Sequence, residues 1–162
     1  PPSHSEFSTP LELLDFVKKL RDLSGGKPVG FKLCIGKRRE FIAICKAMMN
    51  TGIYPDYISV DGGEGGTGAA PLEFSNHIGS PGLESLIFVH NCLMGFGLRR
   101  KMKILSSGKI ASSFDMMKRL AGVKGPDWLD DQPLDVAVRA CELLGMLLIG
   151  QQGANLEKLA PA

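Results

Sequence analysis

Apolar residues recur along the chain with two alternating periods. Four segments have apolar residues at helical spacing and predict amphipathic helices: residues 10–23, about 38–50, 83–98 and 113–120. The first of these helices is expected to begin at a Ser8 or Thr9 cap and to end at Ser24-Gly25-Gly26. Short runs of β-branched and apolar residues lie between them and predict three strands: residues 28–35, 57–60 and 103–105. The first run is almost continuously apolar, so we expect that strand to be buried on both faces.

The regular alternation of helices and strands predicts right-handed β/α units around a parallel sheet. A complete β/α barrel needs about 250 residues, whereas the chain has 162. We therefore predict an α/β fold, a partial (β/α)8 barrel of the TIM type, over residues 1–121, with three clear strands and a doubtful fourth. Residues 122–162 are expected to form a divergent loop and a C-terminal helix at 134–149.

The most unusual segment follows the second predicted strand, which Asp61 closes. Five glycines occur within seven positions: Gly62, Gly63, Gly65, Gly66 and Gly68. A chain keeps glycines at this density, despite their cost in backbone entropy, where it must turn sharply or lie directly against a ligand. The N–H groups of such a loop can bind an anion. A tight connecting turn is the alternative, although such a turn needs only one or two glycines.

Part of this segment also spells G-x-G-x-x-G after a strand, the pattern of dinucleotide-binding proteins. That fold needs a long helix directly after the glycines and an acidic residue about 20 positions further on. Pro71 follows almost at once, and Gly79 interrupts the next segment. The pattern therefore disfavours a dinucleotide-binding fold.

Polar residues inside strands, or where strands end, are the candidates for chemistry, because β/α barrels carry their active sites there. Lys32 interrupts an apolar strand, which favours a buried cation aimed at an anionic ligand or a reduced flavin over a lysine that points outward. Ser107-Gly108-Lys109 precedes a predicted helix, so it is either a phosphate-binding turn or an ordinary polar turn. Glu64 could hold a proton at a reacting carbon, or could be a solvated carboxylate.

Composition and charge exclude several other classes. The chain is 44% hydrophobic and 22% charged, which is ordinary for a soluble globular domain, and its net charge of +2 argues against a nucleic-acid binder. The longest apolar run, residues 143–149, is too short to span a membrane. Four widely spaced cysteines without a C-x-x-C pattern predict reduced thiols, no metal site and a cytoplasmic location.

Several segments together resemble the FMN-binding domain of the glutamate synthase family. They include the sequences P-V-G-F-K-L-C-I-G, V-D-G-G-E-G-G-T-G-A-A-P-L-E-F, F-V-H-N, G-L-R and S-G-K-I at residues 28–36, 60–74, 88–91, 97–99 and 107–110. The resemblance covers about residues 1–121. The run D-G-G-E-G-G-T-G-A-A-P is long enough to be highly specific, unlike a bare G-x-G-x-x-G.

The resemblance implies a (β/α)8 barrel that binds FMN at its C-terminal mouth and reductively converts 2-oxoglutarate and ammonia to glutamate. It implies catalytic roles for Lys32 and Glu64, and substrate contacts from Asp61, Gly63 and Glu64. It implies FMN contacts from one strand residue and two loops: Lys32, Gly65, Gly66, Thr67, Ser107, Gly108 and Lys109. The expected partners are small-molecule substrates, including ammonia or glutamine-derived nitrogen, with no nucleic acid or membrane, and either a second copy of the chain or the rest of the barrel.

The resemblance ends after Leu120. The family continues there with a G-A-D motif, an arginine that helps to hold the FMN phosphate and the cysteines of an Fe–S cluster, whereas this chain has only Cys141 beyond that point. We therefore expect no Fe–S ligands here, and a fragment or short relative of a longer enzyme. The alternatives are a non-catalytic partial barrel that serves binding or assembly, and a phosphate-binding barrel enzyme without flavin.

Overall fold

Four α-helices alternate with three β-strands in the computed structural model, which describes residues 4–64, 73–74 and 76–123. In chain order they are α1 (Pro10–Leu23), β1 (Gly30–Cys34), α2 (Arg38–Thr51), β2 (Tyr57–Asp61), α3 (Gly82–Gly95), a 3₁₀ helix (Arg99–Lys101), β3 (Lys103–Ser106) and α4 (Ser113–Gly122). The predicted order of elements is confirmed. The predicted helix at 134–149 lies outside the described residues, and no fourth strand occurs within them.

The helix ends follow from their capping residues. Thr9, one of the two predicted candidates, caps α1, and Gly52, with a φ of +68°, ends α2 in the left-handed conformation that glycine adopts readily. Helix α3 is shorter than predicted and ends at Gly95. Gly97 has a φ of +67° and turns the chain out of the helix, so Leu98 is buried beyond the turn rather than on the helix.

The strands form one parallel sheet in the order β1-β2-β3. In its register Lys32 lies opposite Ser59, and Cys34 lies opposite Asp61. Each neighbouring pair is connected through a helix, as parallel strands require. The predicted parallel α/β arrangement is confirmed, and it is compatible with part of a barrel.

The core lies between one face of this sheet and the helices. Alternate residues of β2 and β3 are buried there together with apolar side chains from α1, α2 and α3: Ile58, Val60, Ile104, Leu14, Phe41, Cys45, Met48, Leu86, Val89 and Leu93. Phe31 and Leu33 of β1 pack against the same cluster. Burial of this apolar surface is the main favourable contribution to folding of the described residues.

The opposite face of the sheet is open within the described residues. Lys32 and Cys34 of β1 are exposed there, and Leu105 of β3 is 43% exposed. The prediction that the first strand is buried on both faces is therefore wrong. Strand β1 pairs only with β2 in the described sheet, and its apolar residues pack on the helix side alone.

At the amino-terminal edge of the sheet, Asp56 links α1 to the segments that precede β1 and β2. Its Oδ2 accepts hydrogen bonds from Arg21 Nη2 at 2.8 Å and from the Val29 amide at 2.7 Å. The same Arg21 nitrogen donates to the Tyr54 carbonyl at 2.7 Å. Burial works to raise the pKa of Asp56, but the bonds from Val29 and Arg21 outweigh it, and the pKa is lowered.

Because the folded pKa of Asp56 is lowered, its contribution to stability is present above the unfolded pKa of about 4 and is lost as the pH falls through the folded pKa. We expect Asp56→Asn to lower the free energy of unfolding at neutral pH by about 1 kcal/mol, since the site is partly exposed. Urea unfolding between pH 7 and about pH 2 measures this difference, which should shrink toward the acid end. Asp15→Asn, on the exposed side of α1, controls for loss of one carboxylate.

Candidate functional site

Polar side chains from all three strands meet at the carboxyl-terminal edge of the sheet. Lys32 comes from β1, Asp61 ends β2, and Ser107 directly follows β3. The strands are parallel, so their carboxyl ends lie at the same edge. The three sequence-predicted positions are therefore brought together by the fold.

Lys32 and Asp61 form an ion pair, with 2.6 Å between Nζ and Oδ2. Lys32 lies opposite Ser59 in the sheet register, so its side chain reaches diagonally to Asp61, two residues further along the same face of β2. The expectation of a buried lysine is wrong, because the Lys32 side chain is 62% exposed on the open face of the sheet. An ammonium group has three donors, and one bond to Asp61 leaves two for other acceptors.

Asp61 is the more enclosed partner, with its side chain 25% exposed. The hydrogen bond from Lys32 does most to lower its pKa; burial opposes the shift, while the Lys32 charge, the Gly62 amide and the Ser107 side chain support it. The Gly62 amide donates to Oδ1 at 3.0 Å. Asp61 is therefore a carboxylate at neutral pH and neutralises the Lys32 cation.

The loop after β3 packs directly on Asp61. The Ser107 amide donates to the Val60 carbonyl at 2.9 Å and continues the pairing of β3 with β2. Gly108 has a φ of +88°, and a Cβ at this position would collide with Asp61 Oδ1. Glycine is therefore required here both for the backbone conformation and for the close approach.

Three consecutive backbone N–H groups of this loop, at residues 108–110, have no acceptor among the described residues. The chain turns at Gly108 and Lys109, whose φ of +46° is also left-handed. Successive free amides in a turn of this kind are suited to an anion, and Lys109 adds a positive charge. Among the predicted cofactor contacts, this loop has the donors that a phosphate group requires.

The Ser107–Lys109 turn precedes a helix as predicted, but three residues separate Lys109 from the first residue of that helix. Helix α4 starts at Ser113 with Ser112 as its cap. The Ser112 side chain accepts from the Asp115 amide at 3.2 Å, and the Asp115 carboxylate accepts from the Ser112 amide at 3.0 Å. The helix start is thus already capped, so loop amides rather than helix amides are the candidate donors.

Glu64 caps the start of α3. Its two carboxylate oxygens lie 2.8 and 2.9 Å from the amide nitrogen of Gly82, the first residue of that helix. Pro81, at the N-cap position, makes no capping bond with its side chain. A carboxylate is favoured here because the amino end of a helix carries a partial positive charge. Glu64 is therefore a partly exposed carboxylate with a partner in α3, and its catalytic role remains a prediction.

The first glycines of the glycine-rich segment pack against other parts of the same chain. A Cβ on Gly63 would lie 2.7 Å from the Gly79 carbonyl oxygen, and one on Gly62 would collide with the Glu64 carboxylate. The Gly63 amide donates to the Ser80 carbonyl at 2.9 Å. Packing within the chain thus explains both glycines without a ligand. Gly65, Gly66 and Thr67 lie outside the described residues, and their roles in cofactor binding remain predictions.

Arg119 on α4 is a site residue that the sequence did not reveal. Its Nη1 donates to Ser106 Oγ and its Nη2 to the Gly108 carbonyl, each at 2.9 Å. Lys118 stands beside it in the same helix, and nothing in the spacing of charged residues separates the two. Only the hydrogen bonds of Arg119 to Ser106 and Gly108 distinguish it from Lys118.

Two further features are absent from the described residues. No group of three or more His, Cys, Asp or Glu side chains is arranged to hold a metal ion in that part of the chain. No helix described there is long and apolar enough to span a membrane.

Comparison with known proteins identifies the family. A conserved region in glutamate synthase matches residues 1–124. The glutamate synthase large subunit-like protein YerD of Bacillus subtilis is 46% identical over 105 residues, 65% of this chain and 20% of YerD. The archaeal glutamate synthase (NADPH) of Methanocaldococcus jannaschii is 32% identical over 122 residues, 75% of this chain and 23% of that protein. The chain belongs to the glutamate synthase family.

More distant relatives in the same family include a plant enzyme. The ferredoxin-dependent glutamate synthase 1 of Arabidopsis thaliana is 28% identical over 127 residues, 78% of this chain and 8% of that protein. The chain thus spans about a fifth of the length of YerD and of the archaeal enzyme. No solved structure matches it.

Lys32→Met tests the electrostatics of the ion pair. Because the Lys32 bond does most to lower the pKa of Asp61, its removal should raise that pKa toward its ordinary value, as measured by carbon NMR of the carboxylate. Stability should fall by about 0.5 kcal/mol at neutral pH, since the lysine is mostly exposed. Lys103→Met removes an exposed cation from the start of β3 and should leave the Asp61 titration unchanged. An identical Asp61 pKa in wild type and Lys32→Met would contradict the pairing.

Glu64→Ala tests the capping contact. We expect the free energy of unfolding to fall by about 1 kcal/mol, the usual effect of removing a helix cap, and by less in Glu64→Gln, which retains one oxygen. Urea denaturation followed by circular dichroism measures both. Glu73→Ala removes an exposed carboxylate as a control. If Glu64→Ala is no less stable than Glu73→Ala, the contact with Gly82 does not stabilise α3.

Proposed function

We propose that this chain is part of an FMN-dependent, glutamate synthase-type oxidoreductase domain that converts 2-oxoglutarate and ammonia, or glutamine-derived nitrogen, to glutamate. Membership of the glutamate synthase family supports the class of reaction. The observation that carries the proposal is the loop after β3, where the amides of residues 108–110 have no acceptor among the described residues and lie next to the Lys109 cation. We propose further that residues 1–121 are the barrel part of the domain and 122–162 a divergent extension.

The described residues fit the phosphate end of FMN. The loop after β3 offers three amides without an acceptor among the described residues and a lysine, and its left-handed turn at Gly108 has no room for a side chain. A phosphate dianion is held well by several N–H donors and a nearby cation. We assign the phosphate to Ser107, Gly108 and Lys109, and the flavin ring to Lys32 and the segment Gly65–Thr67. When bound, FMN supplies the hydride for reduction of an imino acid.

The residues of this chain are assigned to binding and proton control around that chemistry. The Lys32 ammonium uses one donor on Asp61 and can offer its others to a carboxylate of an oxo-acid. Asp61 fixes the position of that ammonium. Gly63 has no side chain, so we assign to it a close contact of the backbone with the substrate. Glu64 would hold or transfer a proton at the reacting carbon only after leaving Gly82, its partner in this structure.

A flavin titration tests the proposal. The fluorescence of FMN should be quenched when it binds to the chain. Bound FMN should also stabilise the folded chain, by about 2.7 kcal/mol at a concentration 100 times the dissociation constant. Lys109→Asn removes the cation while keeping a residue that tolerates a left-handed φ, and it should weaken FMN binding by about tenfold. Lys103→Met is the matched exposed control. If saturating FMN changes neither the melting temperature nor the flavin fluorescence of the wild type, the proposal is wrong.

One observation favours the alternative of a binding or assembly module without flavin. Within the described residues, the face of the sheet that carries Leu105 is open, and β1 and β3 each pair with one strand only. Unpaired strand edges favour association with further strands. A chain that binds no flavin but forms a defined oligomer in light scattering would support this alternative.

A further inference from the structure

Arg119 approaches the loop after β3 from α4 and contacts it at two points. Its guanidinium donates to Ser106 Oγ and to the Gly108 carbonyl, with both distances 2.9 Å. These two acceptors lie on either side of Ser107. The planar guanidinium holds its donors in a fixed fork, so two bonds define the position of the loop better than one would.

The bond to the Gly108 carbonyl also determines the direction of the next amide. The Gly108 carbonyl and the Lys109 N–H belong to one planar peptide unit, and in a trans peptide they point in opposite directions. When Arg119 holds the carbonyl on one side, the Lys109 N–H is directed to the other side. That N–H is one of the three without an acceptor among the described residues.

Surrounding contacts hold the loop after β3 in a strained backbone conformation. Gly108 and Lys109 have φ values of +88° and +46°, and the left-handed region is unfavourable for a lysine. Such a conformation persists only where surrounding contacts determine it. Asp61 packs against Gly108 on one side, the Ser107 amide is bonded to Val60, and Arg119 supplies the remaining constraint through the Gly108 carbonyl.

The same guanidinium connects this loop to the start of α3. A Cβ on Gly82 would lie 3.0 and 3.1 Å from the two terminal nitrogens of Arg119 and 3.4 Å from a carboxylate oxygen of Glu64. Arg119 and Glu64 thus lie close to the same backbone position. The segment that follows β2 and the loop that follows β3 are brought together at that point.

We propose that Arg119 is a positioning residue that orients the peptide between Gly108 and Lys109 so that its N–H faces a bound phosphate group. The inference rests on the proposed function for the identity of that group as the phosphate of FMN. Arg119 acts through the loop and is not itself assigned to the flavin or the substrate.

The comparison of FMN with riboflavin isolates this role, since the two ligands differ only in the phosphate. Arg119→Met should weaken FMN binding by about tenfold and leave riboflavin binding unchanged. Arg119→Lys keeps one donor for the Gly108 carbonyl but loses the fork, so it should recover part of the FMN affinity. Lys118→Met removes the neighbouring cation, which is exposed, and should bind both flavins as the wild type does. Fluorescence titration measures all the affinities, and circular dichroism checks that each variant is folded.

Inorganic phosphate is the second probe, and its readout does not depend on flavin. In the wild type the amide NMR signals of residues 108–110 should shift on addition of phosphate, and Arg119→Met should reduce that response. If the Met variant does not fold, Arg119→Lys carries the same comparison.

The outcomes separate the two proposals. A wild-type chain that binds no flavin overturns the proposed function, while the phosphate titration still decides the role of Arg119. A wild type that binds FMN, with equal losses for FMN and riboflavin in Arg119→Met, overturns the positioning role alone. The same conclusion follows if Arg119→Met retains wild-type FMN affinity, or if the amides of residues 108–110 do not respond to phosphate.

Discussion

The Asp61 carboxylate links the carboxyl ends of all three strands. It accepts from Lys32 of β1 at 2.6 Å and from the Gly62 amide at 3.0 Å, and the Ser107 side chain after β3 helps to lower its pKa. The side chain is 25% exposed, so the charge is partly withdrawn from water and needs these donors. The candidate site depends on this residue, because Gly108 and its loop take their position from contact with it.

The described glycines at this edge of the sheet are explained by packing within the chain. Gly62 lies under the Glu64 carboxylate, Gly63 lies against Gly79, and Gly108 lies against Asp61. Glycine density alone predicts close approach to a ligand. The close approach exists, but at these three positions it joins segments that follow different strands. The glycines therefore help to assemble the site, whatever ligand it takes.

The open face of the sheet is consistent with a chain that corresponds to only part of its longer relatives in the glutamate synthase family. The helices cover one face of the sheet, as they do on the outside of a β/α barrel, and the polar residues Lys32 and Asp61 lie on the other face. The chain spans only 20% of YerD, so the longer relatives have many more residues with which to cover such a face. The proposed flavin site would use this face and the adjoining loops, where the strands end.

The order of helices and strands, their parallel pairing and a cap for α1 at Ser8 or Thr9 could all be predicted from the sequence, because hydrophobic period and capping residues act over a few neighbours. The family was likewise evident from contiguous motifs. Predictions of burial from the sequence fail where contacts between distant segments decide the result. Residues 28–35 are apolar enough for a strand that is buried on both faces, yet the exposure of each face of β1 depends on which distant segments cover it.

Long-range packing alone decided the partners of the charged residues. The sequence marks Lys32, Asp61 and Glu64 as candidates, but it cannot show that Lys32 pairs with Asp61 or that Glu64 caps a helix 18 residues away. It gives no reason to select Arg119 over Lys118. Local propensity fixes where a helix or strand forms, whereas the tertiary fold fixes which side chains from separate elements come within hydrogen-bonding distance.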